Sequence, residues 1–190
     1  SAGSSTKNWL SSFAVTLILK YWSNRSFFIT INVNERRTIF MAKKTLIIYY
    51  SWEGNTKNMA EKINGEIEKS ELKEVTVAPD AFDSDMYKTN DIALDQIQGK
   101  VPYPEIQMDD IDFNNYDLIL VGSPVWSGYP ATPIKPLLEK MKNYRGEVAS
   151  FFTSAGTNHK AYVSHFKEWA NGLNVVGVAR DDSEVRDWVK

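Results

Sequence analysis

The sequence predicts an α/β fold in which a doubly wound parallel sheet of five strands carries helices on both faces. From residue 45 onward, apolar runs of strand length alternate with segments whose apolar residues recur at helical spacing. Three of these strands end in short polar loops that contain glycine, and each loop leads toward a helix. Connections between parallel strands cross over in a right-handed sense, and ligands bind at the carboxyl ends of the strands where the strand order reverses. Both rules favour the strand order 2-1-3-4-5.

The first half of the sheet is predicted from two apolar runs. The first strand covers residues 45–50, which are almost all apolar or aromatic. A helix is predicted over residues 57–69 because its apolar residues fall on one face at helical spacing. The second strand is predicted near residues 72–77, and a short helix near residues 91–98 interrupts the irregular segment that follows.

The second half of the sheet repeats the strand and helix pattern. Thr132 is predicted to cap a helix that has Pro133 in its first turn and runs to about residue 141. Gly172 is predicted to end a helix over residues 160–170, and Ser183 to begin a final short helix. The remaining strands are predicted over residues 117–121, 148–153 and 174–178.

The first strand runs directly into a polar loop that opens a helix, and this arrangement predicts an anion pocket. The backbone N–H groups of residues 52–54 would point into the loop, and the positive end of the helix dipole would add to them. Ser51 and Thr56 supply hydroxyls, Asn55 supplies an amide, and Gly54 permits a close backbone approach. We therefore predict a phosphate monoester site made of Ser51, Trp52, Glu53, Gly54, Asn55 and Thr56.

The composition of this loop excludes several other phosphate sites. The loop lacks the Gly-Lys-Ser/Thr ending of a nucleoside-triphosphate loop, and its single glycine cannot make a dinucleotide fingerprint. The chain has no cysteine, which excludes a thiol phosphatase, and no Asp ends the first strand, which argues against a phospho-aspartate receiver. A helix cap that binds nothing stays the alternative to a phosphate site.

A second loop, after the third predicted strand, carries two large aromatic residues. Trp126 and Tyr129 lie among Pro124, Gly128 and Pro130, which should make the loop stiff. Aromatics in such a loop are badly placed for a core, and we expect them to stack on a flat ligand. A Trp that seals the end of the sheet or meets a partner is the alternative. The residues expected at the ligand are Ser123, Pro124, Val125, Trp126, Ser127, Gly128 and Tyr129.

A third loop, after the fourth predicted strand, is made of small polar residues. In the helix that follows, Tyr162, Phe166 and Trp169 recur at helical spacing, and we expect this stripe to lie in the core. His165 is expected on the helix surface. The loop is the better functional candidate because its backbone N–H groups can bind polar atoms of a ligand. The residues expected there are Ser154, Ala155, Gly156, Thr157 and His159.

The three loops, taken in this order, resemble the ligand-binding loops of flavodoxins. The pattern Ser-x-x-Gly-Asn-Thr at residues 51–56 resembles the loop that holds the ribityl phosphate of FMN. A Tyr-bearing acidic helix near Tyr87, the Pro-Glu-Ile of residues 104–106 and the Pro-x-Trp-x-Gly of residues 124–128 resemble a bacterial flavodoxin-like subfamily. The resemblance covers residues 41–190 and implies a flavodoxin-like fold that binds FMN without a covalent bond.

The resemblance also assigns roles around the flavin ring. It implies that Trp126 covers one face of the ring, and that the backbones of the second and third loops meet its polar edge. Many flavodoxins carry a second stacking aromatic in the third loop, where this chain has Asn158 or His159 nearest that position. The negative charge of Glu53 would destabilise an anionic, reduced flavin nearby and so lower the second reduction potential of the flavin. The alternative is that Glu53 is a solvated carboxylate that faces outward.

Charge and composition limit the classes of partner. Residues 41–190 carry 17 Lys and Arg against 23 Asp and Glu, a formal charge of −6. Such an acidic body argues against nucleic acid and favours docking to basic redox proteins, a reductase and an acceptor, or reflects ordinary solubility. With no cysteine and only two histidines in the chain, we expect no metal centre.

Residues 1–40 fall outside the resemblance. Their two apolar runs, residues 13–22 and 27–33, are shorter than the ~20 residues that cross a bilayer, so we expect no membrane span and a cytoplasmic protein. Met41 precedes the first strand as a native start would, and we expect residues 1–40 to be an extension without a catalytic role. If this extension folds, a β-hairpin is the expected form.

The sequence therefore predicts an FMN-binding, low-potential electron carrier in which the cofactor performs the redox chemistry and no catalytic side chain is needed. An FMN-dependent NAD(P)H oxidoreductase that reduces quinone-type acceptors is the first alternative. A binding module without flavin on the same scaffold is the second, because a fold does not fix a function.

Overall fold

The computed structural model describes residues 14–20, 26–32, 43–154, 156 and 159–180. Residues 1–41 and residues 42–190 form two compact units. In the first unit, strands β1 (Ala14–Lys20) and β2 (Ser26–Asn32) pair antiparallel. The predicted helix that begins at Ser183 lies outside the described residues. That residues 1–40 are an extension without a catalytic role stays a prediction.

The second unit alternates strands with helices along the chain. Its strands are β3 (Thr45–Tyr50), β4 (Ser70–Val77), β5 (Ile106–Gln107), β6 (Leu118–Trp126), β7 (Tyr129–Pro130), β8 (Glu147–Thr153) and β9 (Asn174–Arg180). Its helices are α1 (Asn55–Glu66), α2 (Met86–Ile97), α3 (Ile134–Lys140) and α4 (His159–Trp169), with a 3-10 turn at Phe113–Asn115.

The sheet of the second unit has the predicted topology. Its order is β5-β4-β3-β6-β8-β9, and the five long strands run parallel in the order 2-1-3-4-5. The sequence missed two short antiparallel strands, since β5 pairs with β4 and β7 pairs with β6. All six residues of β3 are buried, so both faces of the centre of the sheet are covered.

The core contains the aromatic stripe that the sequence predicted on α4. Tyr162 and Phe166 are fully buried, and Trp169 is 9% exposed. The ring of Tyr162 stacks on Phe152 of β8 with centroids 4.1 Å apart, and its hydroxyl lies 2.9 Å from the Ser150 hydroxyl. This packing fixes α4 against the strand whose end opens the third loop.

Gly122 permits a close crossing at the centre of the sheet. It lies in register between Tyr49 of β3 and Phe151 of β8. A Cβ atom at this position would lie 2.6 Å from Phe151 Cε2 and 2.8 Å from Tyr49 Cβ, closer than atoms can pack. The fully buried Phe151 ring therefore occupies the space that any other residue at this position would need.

Several predicted element boundaries were wrong. Helix α2 begins at Met86, five residues before the predicted start, because the Asp85 side chain accepts hydrogen bonds from the backbone N–H groups of the first turn. Thr132 does not cap α3 with its side chain: its hydroxyl is buried without a partner among the described residues, and Pro133 is the cap residue. None of the described helices is long and apolar enough to cross a membrane.

Candidate functional site

A cleft of about 680 Å³ opens at the carboxyl ends of β3, β6 and β8. Its volume lies in the range of roughly 300–1,000 Å³ that is typical of small-molecule sites. The first and second loops, the end of β8 and one end of α2 form its walls. The lining residues are Ser51, Trp52, Glu53, Asn55, Thr56, Asn58, Met59, Lys62, Met86, Tyr87, Asn90, Pro124, Val125, Trp126, Ser127, Thr153 and Ser154.

The first loop presents a row of unused backbone donors. Gly54 adopts φ 85° as the N-cap of α1, without a side-chain cap, and its carbonyl accepts the Asn58 N–H at 2.9 Å. The backbone N–H groups of residues 52–56 donate to no residue in the part of the chain that the structure describes. Unsatisfied donors at a helix N-terminus form a site for an anion.

Hydroxyl groups flank these backbone donors. The Ser51 hydroxyl accepts the Lys57 N–H at 3.2 Å. Thr56, which is 1% exposed, has its hydroxyl oxygen 2.8 Å from that of Thr153. If Thr153 donates in this pair, the Thr56 proton is free to reach an anion in the cleft, because a hydroxyl can accept and donate at once. The sequence placed Thr153 in a strand and missed it as a site residue.

The second loop differs from the prediction in both conformation and packing. Strand β6 continues through Trp126, and Ser127 (φ 49°) and Gly128 (φ 84°) make a two-residue turn into β7. Two successive positive φ angles are the signature of the hairpin turn that matches strand twist. The predicted loop of residues 123–130 is therefore largely a β-hairpin.

Trp126 lies in an aromatic cluster, which corrects the expectation that it is badly placed for a core. It is 6% exposed. Its ring centroid lies 4.7 Å from that of Phe82, 5.8 Å from Tyr50 and 6.3 Å from Trp52, in edge-on arrangements. Trp126 also lines the cleft, but this burial leaves little of the indole face free for stacking.

Tyr129 does not reach the cleft. Its ring stacks on His165 with centroids 3.5 Å apart and lies 5.8 Å from Trp169. His165 lies partly exposed on the helix surface, as expected, with a 26% exposed side chain, and its ring also packs against Tyr129. Tyr129 joins β7 to α4, and its predicted contact with a ligand has no support in this geometry.

Of the remaining predicted residues, some line the cleft, some support its wall and some do neither. Ser154 lines the cleft, and Ser123 supports the hairpin because its buried hydroxyl accepts the Ala131 N–H at 2.9 Å. His159 packs edge-on against Phe152 with centroids 5.5 Å apart. Gly54, Ser123, Gly128, Gly156 and His159 do not line the cleft, and Ala155 and Thr157 lie outside the described residues.

Helix α2 supplies a wall that the sequence did not assign to the site. Met86 is 58% exposed and Tyr87 is 76% exposed, and both line the cleft. One turn further along, Asn90 accepts a hydrogen bond from the Ser127 hydroxyl at 2.5 Å, which ties α2 to the hairpin turn. The available signal was the apolar pair Met86-Tyr87 directly after the capping Asp85, because apolar residues at an exposed helix start have no core to fill.

The two charged residues that line the cleft, Glu53 and Lys62, are both solvent-exposed. Glu53 in the first loop is exposed, which agrees with the alternative of an outward, solvated carboxylate. Lys62 lies on α1 and lines the cleft, so the rim carries both signs of charge. Among the described residues, no group of His, Asp and Glu side chains could hold a metal ion.

Comparison with known proteins identifies close relatives. A family model described as Flavodoxin matches residues 44–189. A flavoprotein from Lactobacillus acidophilus NCFM, solved in complex with FMN, is 78% identical and aligns over 78% of this chain and 100% of its own, with a TM-score of 0.75. The apo-form of the flavoprotein from the same organism is 79% identical over 79% of this chain and 99% of its own, with a TM-score of 0.65.

Proposed function

Because this chain belongs to the flavodoxin family, we propose that it is a cytoplasmic flavoprotein that binds FMN without a covalent bond and carries electrons at low potential. The observation that carries the proposal is the row of unused backbone donors at residues 52–56, set at the mouth of a cleft of about 680 Å³. The relative from Lactobacillus acidophilus, 78% identical, is solved in complex with FMN, which supports the choice of cofactor.

The phosphate end of the cofactor fits the first loop. A phosphate monoester needs several donors, and the N–H groups of residues 52–56 with the hydroxyl of Thr56 provide them. No Lys or Arg lies in residues 51–56, so backbone dipoles and the start of α1 provide the attraction. The side chain of Asn55 lies on the cleft wall and adds an amide donor.

The ring end of the cofactor fits the wall made by the hairpin and α2. Pro124, Val125 and Ser127 line one side, and the exposed side chains of Met86 and Tyr87 stand at the same cleft. Trp126 leaves little of its indole face free, and the third loop supplies no stacking aromatic. We therefore assign the stacking on the flavin ring to the exposed side chain of Tyr87. The hydrogen bond between Ser127 and Asn90 holds that wall in place.

FMN, when bound, supplies the ability to accept and release one or two electrons. The chain contributes binding and orientation: donors hold the phosphate, and apolar side chains exclude water from the ring. The formal charge of −6 on residues 41–190 supports docking to basic redox proteins, a reductase and an acceptor.

Titration of the apoprotein with FMN, followed by flavin fluorescence, tests this proposal. We expect one site per chain, and weaker binding of riboflavin, which lacks the phosphate. Absence of FMN binding would overturn the proposal and leave a module without flavin. Steady NAD(P)H oxidation by the holoprotein without an added reductase would instead indicate the oxidoreductase alternative.

Replacing Tyr87 by alanine should weaken the binding of FMN and riboflavin equally, by roughly two- to tenfold, since an aromatic pair contributes about 0.5–1.5 kcal/mol. Tyr87→Phe should retain the affinity because the ring, not the hydroxyl, makes the contact. The matched control is Val101→Ala, which removes an exposed apolar side chain (42% exposed) that does not line the cleft. Equal affinity of Tyr87→Ala and the parent protein would exclude Tyr87 as a cover.

A further inference from the structure

A second groove lies beside the cofactor cleft, at the carboxyl ends of β3 and β4. It has a volume of about 420 Å³ and shares Ser51, Trp52 and Glu53 with the cleft. We call it the aromatic groove. The residues that line it include Tyr50, Trp52, Glu53, Val77, Phe82 and Asp83.

Three aromatic side chains line the aromatic groove. Tyr50, Trp52 and Phe82 belong to the cluster around Trp126, and the centroids of Tyr50 and Phe82 lie 6.4 Å apart with rings tilted by 58°. Val77 of β4 is half-buried and adds aliphatic surface, whereas Val75 is 1% exposed and adds almost none. Aromatic and aliphatic walls of this kind select a flat ring by shape and by dispersion contacts.

The aromatic groove contains the hydroxyl of Tyr50. Tyr50 is 5% exposed and lines this groove but not the cofactor cleft. Its hydroxyl makes no hydrogen bond to any residue that the structure describes. Burial raises the pKa of this hydroxyl, so it stays a proton donor at neutral pH. The hydroxyl oxygen itself is open to solvent, so a ligand carbonyl that accepts its proton would take the place of water.

The rim of the aromatic groove disfavours an anion. Glu53 and Asp83 both lie on it. The backbone N–H of Asp85 and the ammonium of Lys88, 3.2 Å away, hold the pKa of Asp83 below its usual value, so this carboxylate is charged at neutral pH. These two carboxylates would repel a negatively charged ligand, whereas they would not repel a neutral one.

We propose that the aromatic groove is a second ligand site, separate from the cofactor cleft, for a small, flat and neutral aromatic compound that bears a carbonyl oxygen. The carbonyl accepts the proton of the Tyr50 hydroxyl, and the ring packs between Trp52 and Phe82. This site goes beyond FMN binding, and Trp52 forms the wall that separates a ligand in the groove from the cofactor cleft.

NMR titration of the FMN-saturated, isotope-labelled protein with menadione tests the proposal, because menadione is a flat neutral naphthoquinone with two carbonyls. We expect the amide signals of residues 75–84 to shift and those of residues 86–90 to stay in place. Tyr50→Phe should weaken menadione binding roughly three- to tenfold. It should leave unchanged the binding of 2-methylnaphthalene, which has the ring without the carbonyls.

Tyr49→Phe is the matched control, because Tyr49 is the preceding residue on β3, is 3% exposed and lines neither the groove nor the cleft. It should bind menadione as the parent does. Shifts confined to the cofactor cleft, displacement of menadione by FMN, or equal affinity of Tyr50→Phe and the parent would each overturn the proposal. If FMN itself fails to bind, the same titration of the apoprotein tests the groove independently of the cofactor.

Discussion

Replacing Thr56 by valine should weaken FMN binding by about 1–3 kcal/mol, or roughly five- to 150-fold, and leave riboflavin binding unchanged. Valine keeps the shape of the buried side chain but removes the hydroxyl that lies 2.8 Å from Thr153 and faces the cleft. Riboflavin lacks the phosphate, so the comparison of the two ligands isolates the phosphate contact. Fluorescence titration of the variant with each flavin gives both dissociation constants.

Two further threonine variants separate this binding role from a general loss of stability. Thr153→Val removes a hydroxyl that orients Thr56, and we expect its effect on FMN to be smaller than that of Thr56→Val. Thr45→Val is the matched control, since Thr45 is also 1% exposed and donates to the Lys43 carbonyl at 3.2 Å, at the opposite end of β3 from the cleft. Full FMN affinity in Thr56→Val, or an equal loss with Thr45→Val, would contradict the phosphate assignment.

Replacing Gly122 by alanine should lower the free energy of unfolding by about 1–3 kcal/mol, and by more if the backbone cannot yield. The new Cβ would collide with the ring of Phe151 and with Cβ of Tyr49, and both residues are buried at the centre of the sheet. Neither neighbour can retreat into solvent, so strands β3 and β8 must move apart. Urea denaturation at equilibrium, compared with the parent protein, measures the loss.

Gly65→Ala provides a control of opposite sign. Gly65 lies near the end of α1, and a Cβ there would meet nothing within 4 Å. Alanine has the higher helix propensity, so we expect this variant to be more stable by up to about 1 kcal/mol. A Gly122→Ala protein as stable as the parent would show that the packing of Phe151 over β6 is looser than the structure describes.

The order of the five long strands was predictable because the local sequence indicates each of them. Residues 46–50 are apolar or aromatic throughout, and strands of this kind that alternate with amphipathic helices have few ways to pack. The row of donors in the first loop was predictable for the same reason, since these groups lie within six consecutive residues, 51–56; that they hold a phosphate stays a prediction. Local chemistry thus decided both features.

The packing of Trp126 was not predictable in the same way. Pro124 and Gly128 are residues of loops, yet here Pro124 lies within β6, and its carbonyl accepts the Ala131 N–H at 3.0 Å across the hairpin. The cluster that buries Trp126 brings together Tyr50, Trp52 and Phe82 from other parts of the chain. No spacing pattern within one segment reports such contacts.

The wall from α2 was missed because it depends on tertiary structure. The amphipathic pattern places the buried face of this helix against the core, as Thr89, Ala93 and Gln96 show. It does not say which end of the helix meets the ends of the strands. Met86 and Tyr87 reach the cleft only because the long connection after β4 brings the start of α2 back beside the hairpin.

Strand β4 also bears on association through the edge of the sheet. On its outer side, within the described part of the chain, only Thr76 and Val77 pair with β5. The earlier part of the strand carries Glu71 and Lys73, which form ion pairs with Lys44 and Asp109. A strand from another molecule that paired with this edge would have to desolvate these charged side chains. The charged side chains of β4 therefore disfavour the pairing of another strand with this edge.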